Sequence, residues 1–206
     1  MMLVELTAPA LEALPVAGLR AHLRLGTGFD MAEDTAETAA LAGFLRAAIA
    51  TIEARTGKVL LARQFRLRLE DWRDPAGQPL PLAPVNAIER VEIDDGAGQV
   101  SLVDPASWRL LPDMQRPVLA PQGSAWLPTV PSAGFVTVTF SAGFGLTWDA
   151  VPADLAQAVL MLAARYHEDR TFEGSQAAMP FGVSALIERW RSVRVLGGRG
   201  NTRGRA

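Results

Sequence analysis

Hydrophobic residues recur with a helical period near both ends of the chain. In the first quarter they lie three or four positions apart and share one face of a predicted long helix: Leu41, Phe44, Leu45, Ala48, Ile49 and Ile52. Asp34 or Thr35 is suited to cap the start of this helix, and Gly57 is suited to a left-handed conformation at its end. The pattern therefore predicts one long amphipathic helix before position 58.

Two further helices follow from the same spacing. A short one is predicted to begin at Pro15, because proline suits a first helical turn, and it places Leu19 and Leu23 on one face. A longer one is predicted to begin at Pro152, and its apolar face consists of Leu155, Val159, Leu162, Ala163 and Tyr166. The segment 172–182 is interpreted as a loop, and a last short helix follows it.

The middle of the chain changes from the helical to the strand period. Apolar and polar residues alternate at 65–69, 91–94 and 135–140, which is typical of half-buried strands. Asp95-Gly96 marks a turn and predicts a hairpin with the segment that resumes at Val100. Most of the 14 prolines fall in this region. Because proline cannot donate to a sheet ladder, they indicate edges, turns and extended connections.

These patterns predict an α+β protein. N- and C-terminal helices would form a helical bundle with a central proline-rich antiparallel β block, and a flexible basic tail would follow. The predicted boundaries are 1–58 and 149–194 for the helical regions, 59–148 for the β-rich region and 195–206 for the tail. A sheet covered by the helices is the alternative. The inserted β region is favoured because the two long helices need each other's apolar stripes.

Charge separates the C-terminal end from the rest of the chain. The stretch 184–206 has six arginines and one acid, hence a charge of +5, whereas the whole chain carries −2 and residues 1–183 carry −7. Its last ten residues, GGRGNTRGRA, have almost nothing to bury and cannot offset an ordering entropy of about 1–2 kcal/mol per residue. A basic segment of this kind is predicted to dock on an acidic protein surface or on nucleic acid.

The composition and motifs disfavour several kinds of catalytic site. There is no cysteine, so disulfides and thiolate metal sites are excluded. His22 and His167 are the two histidines, and the zinc motif H-E-x-x-H fails because Thr171 occupies its last position. Gly96-Ala97-Gly98 lies between two predicted strands, where a dinucleotide loop would need a strand followed by a helix. The chain is expected to be no enzyme and to hold no metal or cofactor.

Paired carboxylates and tryptophans are the remaining candidates for chemistry. Asp94-Asp95 is predicted to serve a turn, and Glu168-Asp169 is predicted to be a solvated helix end. The five tryptophans are scattered, which favours core or subunit contacts over base stacking: Trp72, Trp108, Trp126, Trp148 and Trp190. No signal peptide and no membrane span are predicted, so synthesis in the cytoplasm is expected.

Five strings in order resemble the head–tail connector (adaptor) family of tailed bacteriophages. They run from about Leu3 to Arg194: PVAGLRAHLRL, IEARTGKVLLARQFRLRLEDW, LPLAPVNAIERVEIDDGAG, VTFSAGFG with VPADLAQAVLMLAARYHEDR, and MPFGVSALIERWR. The alanine- and arginine-rich composition is similar to that of the adaptor of a bacterial gene transfer agent, a domesticated phage-like particle. Pro15-Val16 departs from the serine or threonine cap that is frequent in the family.

The resemblance implies a non-enzymatic structural protein of the virion neck. Such adaptors form a homo-oligomeric ring, usually of twelve copies, beneath the portal, and DNA passes through the ring without specific binding. The ring joins the portal to a stopper or tail terminator protein. The C-terminal segment docks into the portal in this family, which implies portal-binding residues here: Leu186, Ile187, Arg189, Trp190, Arg191, Arg194, Arg199, Arg203 and Arg205.

Three other interpretations stay open at the level of sequence. A nucleic-acid-binding protein would use the arginine-rich tail and would show a steep salt dependence. A different neck protein, such as a stopper or tail terminator, would differ only in its position in the particle. An enzyme with an unrecognised site would need His22 or His167 beside a carboxylate in a pocket.

Overall fold

The computed structural model of the 206-residue chain describes residues 1–25, 35–169 and 179–191. These ranges contain four α-helices: α1 (Val16–His22), α2 (Thr35–Thr56), α3 (Ala153–Glu168) and α4 (Phe181–Ile187). They also contain eight strands: β1 (Met2–Glu5), β2 (Arg63–Leu69), β3 (Gln78–Pro79), β4 (Val85–Asp94), β5 (Val100–Leu102), β6 (Trp108–Leu111), β7 (Val118–Pro121) and β8 (Phe135–Ala142). None of the helices in the described ranges is both long and apolar enough to cross a bilayer.

The long helices α2 and α3 confirm the two long amphipathic helices that the hydrophobic spacing predicts. Five of the six predicted stripe residues of α2 are buried, and Phe44 is half-buried. The face of α3 that carries Leu155 and Leu162 is buried against α2. Gly57 ends α2 with a φ of +68°, the left-handed cap expected of it. Asp34, the alternative cap at the start of α2, lies outside the described residues.

A five-stranded antiparallel sheet has the order β1-β2-β8-β4-β5. β8 is central, because it pairs with β2 from Arg63↔Ala142 to Leu69↔Val136 and with β4 on its other side. Alternate residues of β2 and β8 are buried, as the strand period predicts. The predicted hairpin is confirmed as β4–β5, with Asp94 opposite Val100. A separate three-stranded sheet, β3-β7-β6, lies in the proline-rich region.

Two assignments from the sequence were wrong. Residues Met2–Glu5 belong to the region 1–58 that is predicted to be helical, but they form β1 at the edge of the large sheet. The four residues are too few to show a period, and their strand conformation depends on the open edge of β2. The predicted loop 172–182 also wrongly included its last two residues, which are helical, because α4 begins at Phe181 directly after Pro180. Pro180 has the extended backbone of a residue that precedes a helix.

The buried side chains form two clusters, one among the helices and one among the strands. The chain passes between them within three residues, since Val59 belongs to the strand cluster and Leu60 and Leu61 belong to the helical cluster. The predicted α+β class with antiparallel sheets is confirmed. The domain boundaries remain predictions.

A buried ion pair joins the helices to the large sheet. Nη2 of Arg63 in β2 lies 2.6 Å from Oε2 of Glu53 in α2, and Nε of Arg63 lies 3.0 Å from Glu5 in β1. Glu53 Oε1 also accepts the backbone N–H of Leu60 at 2.7 Å. Burial acts to lower the pKa of Arg63, but the hydrogen bonds and charges of Glu53 and Glu5 outweigh it and raise that pKa. The guanidinium therefore stays charged between helix and sheet.

Two glycines give opposite predictions for substitution by alanine. Gly143, directly after β8, has a φ of +138°, and a Cβ there would overlap the backbone of Ala62. Gly43 lies in α2 with open space around the position of its missing Cβ. We expect Gly143→Ala to destabilise the fold by about 2 kcal/mol or more and Gly43→Ala to stabilise it by up to about 1 kcal/mol. Urea unfolding of both variants checks this, and equal midpoints would contradict it.

Candidate docking segment at the C-terminal end

The predicted docking segment begins on a helix that packs against α3. In α4, Val183 is fully buried and Ile187 is 2% exposed, both within the helical cluster. Gly182 sits close to the methyl group of Met161 in α3, which leaves no room for a side chain unless that methyl moves. A single 3₁₀ turn, Glu188–Trp190, continues α4. The segment therefore has a fixed base on the body of the protein.

Asp154 in the first turn of α3 holds this base. Its Oδ2 accepts the indole N–H of Trp190 at 2.6 Å and lies 2.7 Å from Nε of Arg189. Its Oδ1 accepts the backbone N–H of Leu155 at 3.0 Å. The carboxylate thus connects the start of α3 to the end of the described chain.

The charge state of Asp154 follows from these contacts. Burial acts to raise the pKa of Asp154, but the hydrogen bonds from Trp190, Arg189 and the Leu155 backbone outweigh it. The pKa is therefore lower than that of an ordinary aspartate, and the group is a carboxylate at neutral pH. Its contacts with Trp190 and Arg189 are charge-assisted, the stronger class of hydrogen bond.

Trp190 is enclosed by two further groups. The ring of Phe144, which follows β8, meets the indole edge-on with centroids 5.6 Å apart and an interplanar angle of 83°. The guanidinium carbon of Arg189 lies 4.8 Å from the indole centroid, a cation–π distance. The indole is therefore held by its N–H, by an aromatic neighbour and by a cation.

The structure places the predicted docking residues in different environments. Leu186 and Trp190 are half-buried against the helical cluster, and Ile187 lies inside it. Ile187 could contact a partner only if α4 left α3, so in this structure it supports the segment from within. Arg189 and Arg191 are largely exposed. Four of the predicted arginines lie outside the described residues: Arg194, Arg199, Arg203 and Arg205.

Sequence reasoning missed the partners of Trp190. Asp154 is recognisable from sequence only as a favourable acid in a first helical turn, and it is 36 residues away from Trp190. Phe144 is further still along the chain. No local pattern relates these three residues, because three segments distant in sequence have to pack together to bring them close.

Two of the other candidates for chemistry, His167 and Asp95, make contacts within the fold. His167 packs edge-on against Phe44, with ring centroids 5.7 Å apart, and His22 is exposed. Asp95 accepts backbone N–H groups of Ala97 and Gln99, which lowers its pKa and confirms its predicted role in the turn. Within the described ranges there is no group of three or more residues suited to hold a metal ion.

Solved structures match nearly the whole chain. One match is in the "neck of empty GTA particle computed with C6 symmetry", with 56% identity, 97% of this chain and 100% of the other covered, and a TM-score of 0.85. Another is in the "virion of native gene transfer agent (GTA) particle", with 56% identity, the same coverage and a TM-score of 0.82. A third is in the "neck of native GTA particle computed with C12 symmetry", with 52% identity, 97% and 100% coverage and a TM-score of 0.80.

No protein-family model and no curated protein sequence matches the chain. The structural matches define the class as a structural component of a virion neck. At 52–56% identity over essentially full length, the chain belongs to the neck proteins of gene transfer agent particles. This confirms the resemblance to head–tail connector proteins and the predicted location in the neck of a phage-like particle.

Proposed function

We propose that this chain is the head–tail adaptor of its particle. Copies would assemble into a closed ring beneath the portal, and the ring would join the portal to the stopper or tail terminator. The observation that carries the proposal is the full-length match to a chain in a neck computed with C12 symmetry. Twelve copies in a head-to-tail ring satisfy such symmetry, because a heterologous interface closes when its rotation does.

The distribution of charge supports a passive channel. The C-terminal ends of β2 and β4 lie side by side, next to the start of β8. Leu69 pairs there with Val136, and Asp94 pairs with Phe135. Four acids lie at or directly after these strand ends: Glu70, Asp71, Asp94 and Asp95. Together with the charge of −7 on residues 1–183, they give a body that repels phosphates, so a DNA duplex would pass without being held.

The basic C-terminal segment would dock on the portal. Arg189 and Arg191 are already paired with Asp154 and Glu188, at 2.7 and 3.1 Å, so the base of the segment uses its cations within the chain. Residues 192–206 carry four more arginines and no acid. The planar fork of arginine pairs with two carboxylate oxygens at once, which favours an acidic protein surface as the partner.

Locating the chain in assembled particles tests the proposal. We expect electron cryomicroscopy of particles that carry a small tag at the N-terminus of this chain to show twelve tag densities on a ring in contact with the portal. A tag ring separated from the portal by another protein would identify a stopper or tail terminator and would reject the adaptor assignment. Untagged particles provide the control map.

A further inference from the structure

The two oxygens of one carboxylate have separate tasks at the end of the described chain. Oδ1 of Asp154 accepts a hydrogen bond from its own helix, at the Leu155 N–H. Oδ2 receives both groups of the C-terminal segment, the Trp190 indole N–H and the Arg189 guanidinium. An ionised carboxylate has about four lone-pair sites, so it satisfies all three donors. Asp154 is therefore bound to α3 on one side and to the segment on the other.

The backbone changes direction immediately after these contacts. Residue 191 is extended, with φ −63° and ψ 134°, so the helical turn stops at Trp190. The Arg191 N–H still bonds to the carbonyl of Glu188 at 3.2 Å. Arg191, the last described residue, thus lies one residue beyond the indole held by Asp154.

We propose that Asp154 is a positioning residue for the basic tail: by holding Trp190 and Arg189 it fixes where residues 192–206 leave the body. The inference rests on the proposed docking function for the identity of the partner, the portal. In a ring, every copy would then present its tail at an equivalent place. Fixing the origin of each tail raises its effective concentration at the matching site, which strengthens linked contacts without adding any.

The rest of α4 does not depend on Asp154. Val183 and Ile187 anchor the helix through buried apolar contacts within the helical cluster. Loss of the carboxylate should therefore loosen residues 188–191 and leave α4 and the fold in place. A role limited to global stability would shift the unfolding midpoint, whereas a positioning role changes local opening at Arg189 and Arg191.

Site-specific proteolysis of the full chain measures this opening. The variants are Asp154→Ala and Asp154→Asn, and the control is Asp149→Asn. Asp149 is exposed in the 3₁₀ turn before α3, and its side chain makes no hydrogen bond or ion pair with the described residues, so its substitution removes the same charge without touching the segment. Trypsin fragments that end at Arg189 or Arg191, identified by mass, report how often residues 188–191 open.

We expect cleavage at Arg189 and Arg191 to be about tenfold to a hundredfold faster in Asp154→Ala, the range expected for losing charge-assisted hydrogen bonds. Asp154→Asn should be intermediate, and Asp149→Asn should match the unaltered chain. All variants should keep the same thermal unfolding midpoint within a few degrees. Cleavage rates in Asp154→Ala equal to those of the control would overturn the proposal, because the segment would not depend on the carboxylate.

Affinity for purified portal separates the positioning role from the docking function. We expect Asp154→Ala to bind about tenfold more weakly than Asp149→Asn. Faster cleavage with undiminished portal affinity would overturn the positioning role. If deletion of residues 195–206 also leaves portal affinity unchanged, the docking function itself is wrong, and the cleavage rates still decide whether Asp154 holds the segment.

Discussion

A chain that ends at residue 194 is expected to fold as the full chain does and to lose its capture by the portal. The deletion removes Arg199, Arg203 and Arg205 and leaves both buried clusters intact. An exposed ion pair contributes about 0–1 kcal/mol, so one tail loses up to about 3 kcal/mol. In the proposed ring of twelve copies, linked tails would multiply this loss through effective concentration, and the ring should no longer be held.

A pull-down of the truncated chain with purified portal measures this effect, with thermal unfolding as the check on folding. A length-matched control replaces the three arginines by lysine, which keeps the charge but loses the planar fork, and should bind with intermediate strength. Replacement of all three by glutamine should reproduce the deletion. Full-strength capture of the truncated chain would contradict the docking role.

The same variants distinguish the portal from nucleic acid as the partner. If the tail binds DNA, the full chain should bind a duplex with an affinity that falls steeply with salt, and the deletion should abolish that binding. We expect instead that duplex binding is weak for both chains, because residues 1–183 carry −7. A steep, tail-dependent salt slope with DNA would favour the nucleic-acid-binding interpretation.

Replacing Glu53 by alanine is expected to destabilise the fold by about 3 kcal/mol, the lower end of the range for breaking a buried ion pair. The side chains of Arg63 and Glu53 are 7% and 11% exposed, so the guanidinium would lose its main partner while out of water. Glu5 still reaches Arg63, which limits the loss. The Leu60 N–H also loses its acceptor.

Urea unfolding of Glu53→Ala measures this cost, and Glu92→Gln is the matched control. Glu92 pairs with Arg90 at 3.3 Å on the open face of the sheet, where the arginine side chain is 58% exposed, so its loss should cost no more than about 1 kcal/mol. The double variant Glu53→Leu with Arg63→Met should recover part of the stability, since it leaves no unpaired guanidinium at this site, although the Leu60 N–H still lacks its acceptor. Equal losses in Glu53→Ala and Glu92→Gln would show that the buried pair does not hold helix and sheet together.

Local patterns predict several elements correctly because the conformation of these elements depends on residues close to one another in sequence. The stripe from Leu41 to Ile52 has the helical period, and it is buried as one face of α2. Asp95-Gly96 predicts a turn through the conformational freedom of glycine and the acceptor oxygens of aspartate, and the structure has the β4–β5 hairpin at this position. These assignments need no knowledge of what packs against the element.

The start of α4 directly after Pro180 is a local feature that is wrongly predicted to lie in a loop. The other missed features involve partners distant in sequence. β1 is a strand because β2 offers an unpaired edge, and nothing within Met2–Glu5 indicates that edge. The basic character of the docking segment is evident from sequence, which also predicts that Leu186, Ile187 and Trp190 contact a partner. In the structure Ile187 is buried in the helical cluster and Trp190 is held by Asp154, neither of which a local pattern indicates. Contact of these residues with a partner stays a prediction.

The sequence alone determined the helical and strand periods, the turn chemistry, the net charge of each end and, through five ordered strings, the family. Only the tertiary structure decided the strand order β1-β2-β8-β4-β5, the pairing of Arg63 with Glu53 and the contact of Asp154 with Trp190. The reason is physical. Periodicity and net charge can be read from the order of residues along the chain. An unpaired sheet edge, or a carboxylate that binds groups of two segments, exists only after distant segments have packed together.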